Sequence, residues 1–144
     1  HPSLQLAVVG IDSLAKTQFL KHFPNENRVR VFGYLPAAEV SQWFQISTIT
    51  VCLYPEGVTT RRTTLMAPLS HGNAVIANLG FLSERDLWEK SPILFCSPKA
   101  QSIESAVGKV LGDPALQRSM MSLNKEFYLK HFSVSIAVER LIGG

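Results

Sequence analysis

The chain has 144 residues, a net charge of +3, and 46% hydrophobic against 17% charged residues. That is one domain's worth of sequence with enough apolar side chains for a sizeable core, and it excludes a disordered segment. The basic residues are scattered apart from Arg28/Arg30 and Arg61/Arg62, which leaves no stripe for nucleic acid, and no apolar run approaches the about 20 residues of a membrane span.

Leu4–Gly10 is a short apolar run ending in glycine and predicts a buried parallel strand with its turn. Asp12 or Ser13 caps the helix that follows, through about His22, and Pro24-Asn25 ends it. Arg28–Phe32 is the next strand, and Gly33-Tyr34-Leu35 is its exit loop. Pro36 suits the first turn of a helix whose apolar face carries Val40, Trp43 and Phe44. Thr48–Leu53 is β-branched and apolar, as expected of a central strand.

Thr59 or Thr60 is the expected cap of a helix carrying Leu65, Met66 and Leu69, with Pro68 predicted to kink it. Asn73–Ala77 reads as another buried strand, Ser83 opens a short amphipathic segment with Trp88, and Ile93–Cys96 is a last short strand. Three helical segments follow, Ser102–Leu111, Pro114–Lys130 and Ser133–Ile142. Cys52 and Cys96 lie in apolar strand-like runs, read as buried thiols of a reducing compartment, and no Cys/His spacing suggests a metal.

Strands alternating with helices predict a Rossmann-like α/β fold, a parallel sheet with helices on both faces. Ligands of such sheets bind at the carboxyl ends of strands, here Gly10, Phe32-Gly33, Tyr54–Gly57 and Asn78-Leu79, which are expected to border one crevice. The richest of these ends is the stretch from Val51 to Asn78. A strand feeding a helix through a Gly-containing loop leaves free N–H groups at the helix start, and these favour an anion such as phosphate. Arg61 and Arg62 add fork-shaped positive donors there, and Glu56 precedes them on the loop. An acid beside an anion site suits a ligand with both hydroxyls and phosphates.

The ordered series LAVVG, VRVFGYLPAAEV, ITVCLYPEGVTTRRTTLMAPLSHGNAVIAN, LGDPALQRSMM and HFSV resembles the C-terminal, donor-binding domain of GT-B glycosyltransferases, specifically the large retaining family 4. The resemblance covers nearly the whole chain. It implies a hexosyltransferase that uses a nucleoside-diphosphate sugar, without metal or other cofactor, and a glycan or lipid-linked acceptor bound by an N-terminal domain that this sequence lacks. It also implies a place in the cytoplasm or at the inner face of a bacterial membrane, in polysaccharide or glycolipid assembly.

Two departures accompany the resemblance. The family carries two glutamates eight positions apart, the second gripping the nucleotide ribose; the first matches Glu56 and the second falls at Thr64, which offers a hydroxyl but no charge. The family domain also opens with one more strand and helix, whose loop supplies an Arg and a Lys to the diphosphate, and this sequence starts after that point. With His1 at its start and Gly143-Gly144 at its end, the chain reads as a piece of a longer protein, inactive alone. A lost opening strand exposes a sheet edge, so self-association or covering by another segment is expected.

Within this reading Glu56 is the candidate catalytic residue, orienting the transferred sugar. Gly57, Val58, Thr59, Thr60, Arg61, Arg62 and Thr64 are the candidate diphosphate and donor ligands, the first four through their backbone N–H groups. Phe32, Gly33 and Tyr34 are candidates for the base wall, and Gly10 is a close-approach glycine. The plain alternatives are a solvated acid for Glu56, surface ion pairing for the arginines, a simple helix cap for the loop, and a strand exit for Phe32–Tyr34. His71 reads as a helix C-terminal residue, and the Trp43/Phe44 and Phe127/Tyr128 pairs as core. Two other functions stay open: a non-catalytic interaction module derived from such a domain, and an unrelated phosphate-binding domain of response-regulator type, which would need an acidic cluster beyond Asp12 and Glu56.

Overall fold

The computed structural model describes residues 4–23 and 27–143, so the expected helix stop at Pro24-Asn25 lies outside the described residues. The chain divides into two compact units, His1–Trp43 and Phe44–Gly144. The first holds β1 (Leu6–Val8), α1 (Ser13–Lys21), β2 (Val29–Val31) and most of α2 (Ala37–Ile46). β1 and β2 pair in parallel, with Leu6 opposite Val29 and Val8 opposite Val31. Asp12 caps α1 as expected, its carboxylate accepting from the Ala15 N–H at 2.8 Å. Gly10 sits at φ +84°, a left-handed conformation that costs glycine little. A methyl group there would meet no protein atom within 4 Å, so within the protein it is the backbone conformation that asks for glycine. The ring of Phe32 leans on Trp43 at 5.0 Å between centroids. Both rings are half-buried, while Tyr34 is 92% exposed.

The second unit holds β3 (Ile49–Cys52), α3 (Thr63–His71), β4 (Ala74–Ala77), α4 (Arg85–Trp88), β5 (Leu94–Phe95), α5 (Ala100–Gly112), α6 (Pro114–His131) and α7 (Val134–Ile142). Its sheet is all parallel in the order β3-β4-β5. The expectation of a central strand at Thr48–Leu53 is corrected: within the second unit the central strand is β4, and among the described residues β3 pairs only with β4 and leaves Val51 43% exposed. β-branched residues favour a pleated strand at either place, so composition could not tell an edge from a centre.

Every residue of β4 is buried, the continuous apolar run of a strand covered on both faces. Val75 and Ala77 turn toward Leu65 and Leu69 of α3, Trp88 and Phe127. Ala74 and Ile76 turn toward Ala106 and Val110 of α5 and Met120 of α6. Trp88, fully buried, stacks on Phe132 at 5.6 Å and meets Phe127 at 6.0 Å. Two buried asparagines tie elements together. Asn73 donates to the carbonyls of Phe44 and Ser47, and Asn124 of α6 donates to the carbonyl of Asn73 at 2.8 Å.

Candidate functional site

The chain leaves β3 at Cys52 and turns tightly, with the Gly57 N–H donating to the Tyr54 carbonyl at 3.0 Å. Asn78, at the end of β4, prolongs the β3–β4 ladder with its side chain. Its Oδ1 accepts from the Tyr54 N–H and its Nδ2 donates to the Tyr54 carbonyl, both at 2.8 Å. The loop is also pressed against the one that follows β4. Gly57 adopts φ +86°, and a methyl group on it would overlap the Gly80 backbone, while one on Gly80 would overlap the Glu56 carbonyl. Two glycines therefore let two main chains touch where the Val58 N–H reaches the Asn78 carbonyl and the Leu82 N–H reaches the Glu56 carbonyl.

These contacts relocate the open donors. The N–H groups of Gly57, Val58 and Thr60 all meet protein acceptors, those of Tyr54, Asn78 and Glu84 respectively. Val58 is fully buried and its side chain belongs to the core. Thr60 is held by the Glu84 carboxylate, which accepts both its N–H and its hydroxyl, the latter at 2.8 Å, and also the Trp88 indole N–H at 2.8 Å. Burial opposes ionisation of Glu84, but the bonds from Trp88 and Thr60 outweigh it and hold the carboxyl below its ordinary value.

Neither Thr59 nor Thr60 caps α3, because Glu84 has taken Thr60 into the loop; the helix begins at Thr63 with Arg62 in the cap position. Both arginines thus precede the helix. Among the described residues the N–H groups of Thr59, Arg61, Thr63 and Thr64 have no acceptor, and the last two stand at the positive end of the helix dipole.

Arg62 donates from Nη2 to Glu56 Oε2 at 2.6 Å, and its guanidinium lies over the Tyr54 ring, 4.9 Å from the centroid. The Tyr54 hydroxyl bonds the Thr64 hydroxyl at 2.8 Å. Glu56, Arg62, Tyr54 and Thr64 therefore form one connected group at the head of α3. Arg61 is exposed and, among the described residues, its side chain makes no hydrogen bond or ion pair. Gly10, Phe32, Gly33 and Tyr34 belong to the first unit.

Beneath this group, Pro68 stays inside α3. Having no N–H, it leaves the Thr64 carbonyl without its helical partner, and the buried Cys52 thiol points at that carbonyl from 3.9 Å. Burial pushes the Cys52 thiol up to about 11, with the Tyr54 hydroxyl bond pulling the other way. Burial, and then the neighbouring Cys52, push Tyr54 up to about 12 against the Thr64 bond and the Arg62 charge. Both groups hold their protons more tightly folded than unfolded, so the stability they contribute is complete below pH 9.0, the ordinary Cys value, and is lost as pH rises toward about 11. A melting-temperature series should be flat from pH 7 to pH 9 and then fall, with Cys52 alone accounting for about 2–3 kcal/mol by pH 11. In Cys52→Ala the fall should become shallower, leaving the smaller contributions of Cys96 from pH 9.0 and Tyr54 from pH 10.0.

His71 ends α3 with its Nδ1 2.9 Å from the Ala67 carbonyl, and Gly72 closes the helix in a left-handed conformation. Sequence reasoning placed Tyr54 and Asn78 at strand ends bordering the crevice without giving their side chains a role, and it missed Gly80 and Glu84. The signal for Glu84 was its place one turn before Trp88, which brings its carboxylate to the indole.

No family model matches the sequence, nor does any curated protein. Among solved structures, a sucrose-phosphate synthase from Thermosynechococcus elongatus is similar at a TM-score of 0.74 and 21% identity, over 96% of this chain and 37% of its own. The C-terminal domain of a group 1 family glycosyl transferase from Francisella tularensis matches at 0.73 and 15% identity, over 93% and 72%. A glycosyltransferase from Rickettsia africae matches at 0.77 and 14% identity, over 98% and 39%. The chain has the fold of a GT-B C-terminal domain. Identities this low establish the fold alone, and the chain spans little more than a third of two of these neighbours. Among the described residues no helix is long and apolar enough to cross a membrane.

Proposed function

We propose that this chain is the donor-binding part of a retaining glycosyltransferase of family 4 type. It would hold a nucleoside-diphosphate sugar, with no metal, for transfer of a hexose to a glycan or lipid-linked acceptor carried by another domain. The observation that carries this reading is the head of α3, where the open N–H groups of Thr63 and Thr64, two arginines and one carboxylate meet on a loop leaving a parallel strand. Strand ends of such sheets are where α/β proteins bind ligands, and the solved neighbours with this fold are glycosyltransferases.

The chemistry follows from charge. As the glycosidic bond to the diphosphate breaks, negative charge builds on the departing phosphate oxygens. Helix-start N–H groups and guanidinium groups already aimed at that position stabilise it without reorganising. Arg61 and Arg62 supply the fixed charge, the Thr63 and Thr64 amides supply directional donors, and Glu56 accepts hydroxyls of the transferred sugar. Thr64 stands where the family has a ribose-binding acid and leaves that task to other groups. Phe32, Gly33 and Tyr34 are proposed to wall the base, and the edge of β3 to be covered by a further strand.

In the full-length enzyme, Arg61→Ala and Arg62→Ala should each lower kcat/KM by about 10- to 1000-fold, the range expected for losing one preorganised charge donor. Steady-state kinetics with the preferred donor measures this, and unchanged turnover in both variants would remove the assignment. A non-catalytic module descended from such a domain would instead bind no sugar nucleotide in any form.

A further inference from the structure

Glu56 is only partly free to receive a sugar hydroxyl, since one of its two carboxylate oxygens is already engaged. Its Oε2 is occupied at 2.6 Å by the guanidinium of Arg62, the same group that the proposed donor site needs for phosphate. The two candidate functions of this loop therefore compete for the same pair of groups in the unliganded protein. The pair is also easy to open. Both side chains are about one-third exposed, 37% for Arg62 and 35% for Glu56, and such partly solvated ion pairs are weak. One of the five guanidinium donors is spent on Glu56. The face of the group rests on the Tyr54 ring at 4.9 Å, a surface over which it can pivot while keeping its cation–π contact. Tyr54 is itself fixed by its hydroxyl bond to Thr64, so the pivot is anchored to the first turn of α3, where the open amides stand.

We infer that the Glu56–Arg62 pair is a latch opened by ligand exchange: the diphosphate of an incoming ligand draws Arg62 off Glu56, and the freed carboxylate then accepts hydroxyls of whatever the diphosphate carries. This rests on the diphosphate reading above and adds an order to it. Phosphate engagement frees the second carboxylate oxygen of the sugar-binding acid, so a sugar without a diphosphate meets a Glu56 with Oε2 already engaged. Arg62 is thereby a specificity-determining residue for ligands that combine the two parts.

The exchange makes a prediction opposite to that of a simple binding residue. Removing Glu56 should improve the binding of a bare diphosphate, because Arg62 no longer has to leave a partner. The experiment is titration calorimetry with inorganic pyrophosphate, UDP, GDP and ADP on the whole chain, with Glu56→Gln, Arg62→Ala and the double variant, each first checked for an unchanged circular dichroism spectrum. Glu56→Ala provides a second replacement at this partly exposed loop position. Glu56→Gln should bind pyrophosphate and the preferred nucleoside diphosphate about 3- to 10-fold tighter than the unsubstituted chain. The gain should vanish in the Arg62→Ala background. The sugar conjugate of the same nucleotide should lose most of this gain, since the amide replaces the acceptor that its hydroxyls need. Equal or weaker diphosphate binding in Glu56→Gln overturns the latch while leaving the donor-site reading in place. A gain that persists without Arg62 also overturns it, because simple removal of a repelling charge would then explain the effect. If neither the unsubstituted chain nor Glu56→Gln binds any of these anions, the diphosphate reading itself fails, and the latch with it.

Discussion

Replacing Gly57 by alanine should lower the melting temperature by about 10 °C or more. Two penalties combine. The left-handed conformation at φ +86° costs a non-glycine residue about 1–2 kcal/mol. The added methyl group would also overlap the Gly80 backbone nitrogen, so the two loops would have to part. Parting them strains the Val58–Asn78 and Leu82–Glu56 backbone bonds that hold the pair of loops together. A total of about 3 kcal/mol or more follows. Gly80→Ala should cost a similar amount, because its methyl group would meet the Glu56 carbonyl from the other side. Thermal unfolding followed by circular dichroism decides the matter. A loss of only the conformational part, about 1 kcal/mol, would mean that the loops do not pack as described.

Trp88→Ala should be comparably severe, at about 3–5 kcal/mol, since it empties the space between Phe127, Phe132 and the β-sheet. The informative comparison is Trp88→Phe. Phenylalanine keeps much of the packing and deletes the indole N–H that donates to Glu84. The expected cost is then about 1–2 kcal/mol, with a change in acid behaviour. Glu84 is held below its ordinary carboxyl value, so its contribution is present above pH 4.5 and lost as pH falls through the lowered value. With one donor gone the Glu84 value should rise toward 4.5, so the decline of stability in acid, which begins near pH 4.5 in both proteins, should be smaller and end at a higher pH. An unchanged acid limb would show that the indole bond does not hold the carboxylate.

The organisation of this fold was legible because its cues are local. Asp12 and Ser133 cap their helices through bonds to residues three positions on, and Pro114 opens α6 as a first-turn proline does. The four apolar residues of β4 read as buried on both faces, and they are. What sequence reading mistook depended on distant residues. TTRRTT offers several plausible helix starts, and the choice among them is made by Glu84, which lies 24 positions beyond Thr60 and captures its hydroxyl and N–H. Nothing near Thr60 announces that carboxylate. The edge position of β3 is a property of what pairs with it, and its own β-branched residues are silent about that.

The candidate site was legible in its ingredients and less so in its wiring. Glu56, Arg62 and Thr64 do converge at the head of α3. The pairing of Arg62 with Glu56, first weighed as a plain surface contact, is also formed, and Tyr54 joins the two sides from beneath. The amide of Gly57 is spent on Tyr54 in its own turn and those of Val58 and Thr60 on the second loop, which leaves the open donors at Thr59, Arg61, Thr63 and Thr64. A tyrosine two residues before an acid carries no signal of its own, and its place became apparent only when the helix start brought Thr64 to its hydroxyl.

The most direct test of a nucleotide-sugar site is a thermal-shift panel of UDP, GDP, ADP and their sugar conjugates on the purified chain and the full-length protein. Ligand that binds the folded state alone raises the melting temperature by mass action, about 2.7 kcal/mol at a hundredfold excess over Kd. The expected result is a shift of several degrees with one base, larger for its sugar conjugate and abolished when Arg61 and Arg62 are both replaced by alanine. No shift with any nucleotide in either form of the protein would contradict the assignment and leave an interaction module as the function of this fold.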